Sequence, residues 1–189
     1  MSNAIVIVSC YGLIDESRSQ EEMIGLENYI KELSLYIEKL ETKPKAVVFS
    51  GGRTAPEVSG ESEAESMLRY VIENELLTDQ HLLAETTAHN AYEQLVFGLA
   101  HVRKLIDDNT SILCICDTPR FEKTSIMANI LFGDYFDIEV QAFDRKDIHT
   151  NSTREYQLFT DLPESIKKDE FVYLKEYINH VILSQTFED

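Results

Sequence analysis

Lys45-Ala-Val-Val-Phe-Ser50-Gly-Gly-Arg-Thr54, followed after a polar loop by Ser62-Glu-Ala-Glu65, sets the reading of the whole chain. Residues 46–49 are an apolar run too short for a helix and rich in Val and Phe, which predicts a buried strand. Gly51 and Gly52 then permit a sharp turn or a close approach of the backbone to a ligand. Arg53 comes next. Ser62 and Glu65 have the three-residue spacing of a capping box, in which a hydroxyl and a carboxylate each take an N–H at a helix start. Strand, glycine turn and helix N-terminus in succession are how α/β proteins build pockets for anions. Read alone, the glycine pair is equally a plain turn.

The same alternation extends outward in both directions. Upstream, residues 4–10 form a continuous apolar strand of the kind buried on both faces of a parallel sheet. Ser19 and Glu22 then open a predicted helix to about residue 41, with Met23, Leu26, Ile30, Leu33, Ile37 and Leu40 in one narrow stripe. That stripe packs on the sheet or, as an alternative, forms a homodimer seam. Downstream come a helix from 62 to about 75, a strand at 81–84, and a helix capped by Asn90 and Glu93 running to Ile106. A strand at 111–116 follows, and then a helix to about 131 with Thr118 as N-cap and Pro119 at its first position. A strand at 138–143 with alternating polarity is expected at a sheet edge, and a helical segment at about 152–186, broken at Pro163, closes the chain. The prediction is one α/β domain over residues 1–189: a Rossmann-like, doubly wound, mainly parallel sheet of about five strands with helices on both faces.

Composition bounds the function. The chain has 34 acidic and 17 basic residues and a formal net charge of −17, so it repels nucleic acid and anionic membranes in the absence of a basic cluster. The bases Arg53, Arg120, Lys123 and Arg145 fall at or just beyond predicted strand ends. Three cysteines without a CxxC read as buried reduced thiols. With no leader and no apolar run of membrane-spanning length, the expectation is a cytoplasmic protein with no membrane contact.

In a parallel sheet the ligand crevice lies beyond the carboxyl ends of the strands. The polar groups expected there are Ser50, Gly51, Gly52, Arg53, Ser62, Asn90, Glu93, Asp117, Thr118 and Arg120 for binding, and Glu63 and Glu85 for proton transfer. Hydroxyls, glycine amides and arginines together suit a phosphate, carboxylate or nucleotide. Glu65 and Glu93 have capping duties by spacing, whereas Glu63 has none. The histidines are too scattered for a zinc site, so no metal site is assigned, and no GxSxG, HExxH, Walker A or GxGxxG sequence occurs.

Taken as an ordered set, Val47-Val-Phe-Ser-Gly-Gly52, Ser62-Glu-Ala-Glu65 and Glu85-Thr-Thr-Ala-His-Asn-Ala-Tyr-Glu93 resemble the bacterial domain-of-unknown-function family that includes YdcF, SanA and ElyC. The resemblance covers about residues 4–145. Ser50, Gly51, Gly52, Ser62, Glu63, Glu85, Asn90 and Glu93 match the family pattern. Ala91, Gln94, Cys116-Asp117, Arg120 and Lys123 depart from it, the last two where the family has His and Arg. The resemblance implies a Rossmann-like fold and a pocket for a small, nucleotide-like ligand such as S-adenosylmethionine. The expected function is binding of a small anionic or nucleotide-like metabolite, with transfer or hydrolysis carried out on it. A non-catalytic ligand-sensing or interaction domain is the alternative, and a metal-dependent hydrolase a weaker one.

Overall fold

A computed structural model describes residues 3–14, 19–53, 60–145, 176 and 178. Its centre is a five-stranded sheet of β1 (Ala4–Ser9), β2 (Ala46–Ser50), β3 (Leu82–Glu85), β4 (Ser111–Asp117) and β5 (Asp137–Phe143). The strand order is β3-β2-β1-β4-β5, and every pairing is parallel. The predicted α/β architecture is therefore present, with β5 at an edge as its alternating polarity implies. The opposite edge is β3.

Strand parity divides the core into two layers. Val6, Val8, Val47, Phe49, Leu113 and Ile115 point to one side, where α1 (Gln20–Glu38) and α2 (Glu63–Glu73) cover them. Ile5, Ile7, Val48, Ile112 and Cys114 point to the other, under α3 (Ala91–His101) and α4 (Phe121–Phe132). Because both faces are covered, the central strands are apolar throughout rather than alternating. Ile178 is fully buried in the α3–α4 layer, so at least this residue of the C-terminal segment packs on the same core. The remainder of the helical segment predicted at about 152–186 lies outside the described residues.

Local chemistry sets the helix starts. Ser19 with Glu22 and Ser62 with Glu65 form complete capping boxes, and Asn90 caps α3 by accepting the Glu93 N–H at 2.9 Å. The α1 stripe is spent on the sheet: Leu26, Ile30, Leu33 and Ile37 are buried against β1, β2 and β4.

The expected helix ends run too long. α1 stops at Glu38 and α2 at Glu73, after which Glu75 and Leu77 adopt left-handed φ values of 54° and 53°. α3 stops at His101, and Arg103–Leu105 tighten into a 3-10 turn instead of continuing to Ile106. Thr118 is not the N-cap of α4. Thr118–Arg120 form a 3-10 turn of their own, and α4 begins at Phe121 with no side-chain cap. Among the described residues no helix is long and apolar enough to cross a membrane.

These burial differences give a stability prediction. Ile30→Ala empties a fully buried site on α1 and should cost about 2–5 kcal/mol in urea unfolding. Leu35→Ala, on the same helix but 50% exposed, should stay within about 0.5 kcal/mol of the parent.

Candidate functional site

The topology puts a switch point between β1 and β4. The loop after β1 leaves toward the α1–α2 layer, and the loop after β4 leaves toward the α3–α4 layer. This is where open parallel sheets receive ligands, beyond the carboxyl ends of the strands. The residues predicted from sequence all stand along this rim, and they sort into two groups.

The first group binds the loops after β1, β2 and β3 to one another. The Cys10 N–H donates to the Ser50 carbonyl at 2.8 Å, Gly51 N–H to the Glu85 carbonyl at 3.0 Å, and Gly52 N–H to the Ala88 carbonyl at 2.8 Å. The first amides of α2 turn back on the same turn, Glu63 N–H to the Gly52 carbonyl at 3.0 Å and Ala64 N–H to the Gly51 carbonyl at 3.2 Å. The next amide, that of Glu65, goes to the Ser62 hydroxyl at 3.1 Å. The amides that the sequence offered to an anion at Gly51, Gly52 and the Ser62 helix start are thus committed within the protein. The reason is close packing. A Cβ at Gly52 would stand 2.3 Å from the Ala88 carbonyl oxygen, and one at Gly51 would stand 2.9 Å from the Cys10 Cβ. The double glycine lets backbone approach backbone.

The carboxylates expected to handle protons serve the same lacing. Glu63, buried at the first position of α2, accepts the Gly12 N–H at 2.7 Å, and Gly12 holds a left-handed φ of 85°. Glu85, also buried, accepts the Ser50 hydroxyl at 2.7 Å on one oxygen and the Thr87 N–H at 2.6 Å on the other. Glu93 accepts the His89 N–H at 2.7 Å. Glu65 keeps its carboxyl below the ordinary value, first through the Ser62 amide, then through the Ser62 hydroxyl, with the Arg53 charge adding to both.

The second group is cationic and gathers at β4. Asp117 is fully buried, and Arg120 donates to its Oδ2. Arg145, 7% exposed, places Nη1 3.9 Å from the same oxygen and donates to the Tyr11 carbonyl at 2.5 Å. The Arg120 guanidinium lies 3.6 Å from the Tyr11 ring centroid, a stacked cation–π geometry. Loops after β1, β4 and β5 are thereby joined over the switch point. Thr118 is exposed beside them. Arg53 is exposed at the end of β2, two strands from β4, or roughly 10 Å across the sheet at the usual strand spacing.

Two residues that sequence reasoning missed face this region from opposite layers. Tyr29 of α1 is buried with its phenol pushed up, first by desolvation and then by Asp117, Cys116 and Cys10, against the lowering effect of Arg145. Gln94 of α3 donates to the Cys10 carbonyl at 2.8 Å. Gln94 carried a usable signal, since it is a lone polar residue within a buried run of α3. Tyr11 carried another, as an aromatic placed directly after the first buried strand. Cys10 is also buried, and desolvation followed by the Glu63 charge raises its thiol well above the ordinary value. Cys116 is pushed up to about 12, chiefly by burial.

Two cavities bounded by described residues lie on the flank of β3. One, of about 330 Å³, is lined by Ala84, Glu85, Thr86, Thr87, Phe97, Ala100, His101 and Arg103. Among the described residues no group of three or more His, Cys, Asp or Glu side chains is placed to hold a metal ion. No family model matches the chain, and comparison with curated proteins and with solved structures returned no match.

Two outcomes follow. Gly52→Ala should destabilise the fold by about 1–3 kcal/mol through overpacking against Ala88. Gly60→Ala, where a Cβ meets nothing within 4 Å, should be nearly neutral in the same urea titration. The three buried thiols should resist alkylation by iodoacetamide at neutral pH in the native protein and react fully in denaturant. Rapid native labelling of Cys10 would show that its burial and raised titration do not govern its reactivity.

Proposed function

We propose that this protein binds a small anionic or nucleotide-like metabolite at the carboxyl rim of its sheet. The observation that carries the reading is the meeting of Arg120 and Arg145 on Asp117 at the switch point, in a chain whose formal net charge is −17. A surface so acidic repels anions at long range. Paired guanidiniums at the sheet rim supply a local exception, and the planar fork of arginine matches phosphate and carboxylate geometry. Asp117 and the Tyr11 ring hold Arg120 in one orientation, so little side-chain freedom remains to be lost on binding. The departure of Arg120 from the histidine of the YdcF, SanA and ElyC pattern favours anion binding in the same direction.

The roles of the carboxylates bear on catalysis. A transferase or hydrolase step at this rim would require Glu63 or Glu85 to move protons. Both are buried and occupied in holding loop backbone and hydroxyls. That arrangement favours the second reading, a ligand-sensing domain without turnover, over a hydrolase.

The test is a thermal-shift screen with inorganic phosphate, mononucleotides and S-adenosylmethionine, followed by calorimetry of any hit and assays for its turnover. Arg120→Ala should weaken binding by about 1.5–3 kcal/mol, the loss of one charged hydrogen bond. Arg53→Ala measures whether the cation at the end of β2 also reaches the ligand, with a loss of about 1–3 kcal/mol expected if it does. Unchanged affinity in Arg120→Ala would remove the β4 rim from the site. Binding without turnover supports the sensing reading, and turnover restores the enzyme.

A further inference from the structure

We propose that the cleft between the β3 edge and α3 is a binding site for a small primary amine, taken up as its ammonium ion. The cleft holds a cavity of about 330 Å³. Glu85, Thr86 and Thr87 line it from the strand side, and Phe97, Ala100 and His101 from the helix side. The volume lies at the small end of the range for metabolite pockets.

The Glu85 carboxylate points to a cationic ligand. It stands at the last position of β3 and is 4% exposed. Three hydrogen bonds reach it, all from uncharged groups. The Ser50 hydroxyl donates to Oε2 at 2.7 Å, and the Thr87 N–H and hydroxyl donate to Oε1 at 2.6 Å and 2.5 Å. Among the described residues no Lys, Arg or His forms an ion pair with it. Buried charges are ordinarily paired, because neutral donors solvate a carboxylate without cancelling its charge. A carboxylate has about four acceptor positions, so Oε2 can still receive one hydrogen. Among the described residues no group of three His, Cys, Asp or Glu side chains surrounds a metal position, whereas an ammonium needs only acceptors and one counter-charge.

The rest of the lining supplies those acceptors. The Thr86 hydroxyl has no hydrogen-bond partner among the described residues. The Thr87 oxygen donates to Glu85 and keeps its lone pairs, and a neutral imidazole at His101 has one acceptor nitrogen. A primary ammonium has three hydrogens to give. Ala84, Phe97 and Ala100 form an apolar side that suits a short alkyl chain. Arg103 also lines the cavity, without pairing with Glu85, and is engaged by another group of the protein. It borders a second cavity together with His81, at the opposite end of β3 from Glu85. Its charge confines the ammonium to the Glu85 end and disfavours a ligand with a second one. At longer range the formal net charge of −17 gathers cations around the whole chain.

Calorimetry of the full chain at low salt with n-butylammonium chloride tests the site, with potassium chloride, tetramethylammonium chloride and n-butanol in parallel. Butylammonium should bind at millimolar concentration and each of the other three more weakly, since they lack in turn the alkyl chain, the N–H donors and the charge. Glu85→Gln should lose about tenfold or more in affinity, as for a charged hydrogen bond. Thr86→Val, which keeps the side-chain shape, should lose about threefold. Absence of butylammonium binding overturns the proposal, and so does equal binding of n-butanol or potassium. Should Glu85→Gln lose the native melting temperature, Thr86→Val decides, and unchanged affinity there overturns the site.

Discussion

Buried strand ends cannot leave their polar groups bare, and the rim of this sheet is organised by that constraint. The loops after β1, β2 and β3 are joined by backbone hydrogen bonds from Cys10 to Ser50, Gly51 to Glu85 and Gly52 to Ala88. Where backbone does not meet backbone, a buried carboxylate fills the gap. Glu63 takes the Gly12 amide, Glu85 ties Ser50 to Thr87, and Asp117 takes Arg120. An unpaired buried amide or charge costs far more than a paired one yields, so loss of any of these links would be felt as strain across several loops. Rigidity at the rim is the direct result.

Rigidity also explains how the charges are shared out. Three acids are buried at the rim, and the two arginines that meet them both gather at Asp117. Among the described contacts, Glu63 accepts the Gly12 N–H and Glu85 the Ser50 hydroxyl and the Thr87 N–H. Two of the buried acids thus lie on the β1–β3 side of the rim, where Arg53 is exposed, and the arginines that meet Asp117 lie on the β4–β5 side. Tyr29 and Cys10 are raised first by burial and then by Asp117 and Glu63 respectively, against a smaller lowering effect of Arg145.

Much of the fold could be read from local pattern. The capping boxes at Ser19 and Ser62 depend on residues three apart, and the buried strands on continuous apolar runs, so both were visible. Helix ends were less so, because the apolar spacing continues through Val102 and Ile106 although the backbone tightens after His101. The site was legible only in part. Residues such as Ser50, Glu85, Asp117 and Arg120 stand on the rim as the strand-end rule requires. Their partners were hidden, since Gly12 is 51 residues from Glu63 and Tyr11 is 134 from Arg145. Without the fold, Gly51-Gly52 looked like a surface for a ligand. In the fold it is the place where neighbouring loops come closest.

The glycine pair shows why composition alone misleads about phosphate loops. An anion-binding turn needs amides that no carbonyl already holds, and a helix N-terminus needs its first N–H groups open. Here the sheet runs on for one more step past Ser50: Gly51 continues the β2–β3 ladder through the Glu85 carbonyl, and the first turn of α2 folds back on both glycines. The turn is tight because it is a joint between three loops. In the proposed reading an anion at this rim is met by side chains, foremost the guanidiniums drawn together by Asp117. The guanidiniums on which the proposed anion site rests are thus brought together by tertiary pairing of the loops after β4 and β5, not by the short motif that first suggested a site.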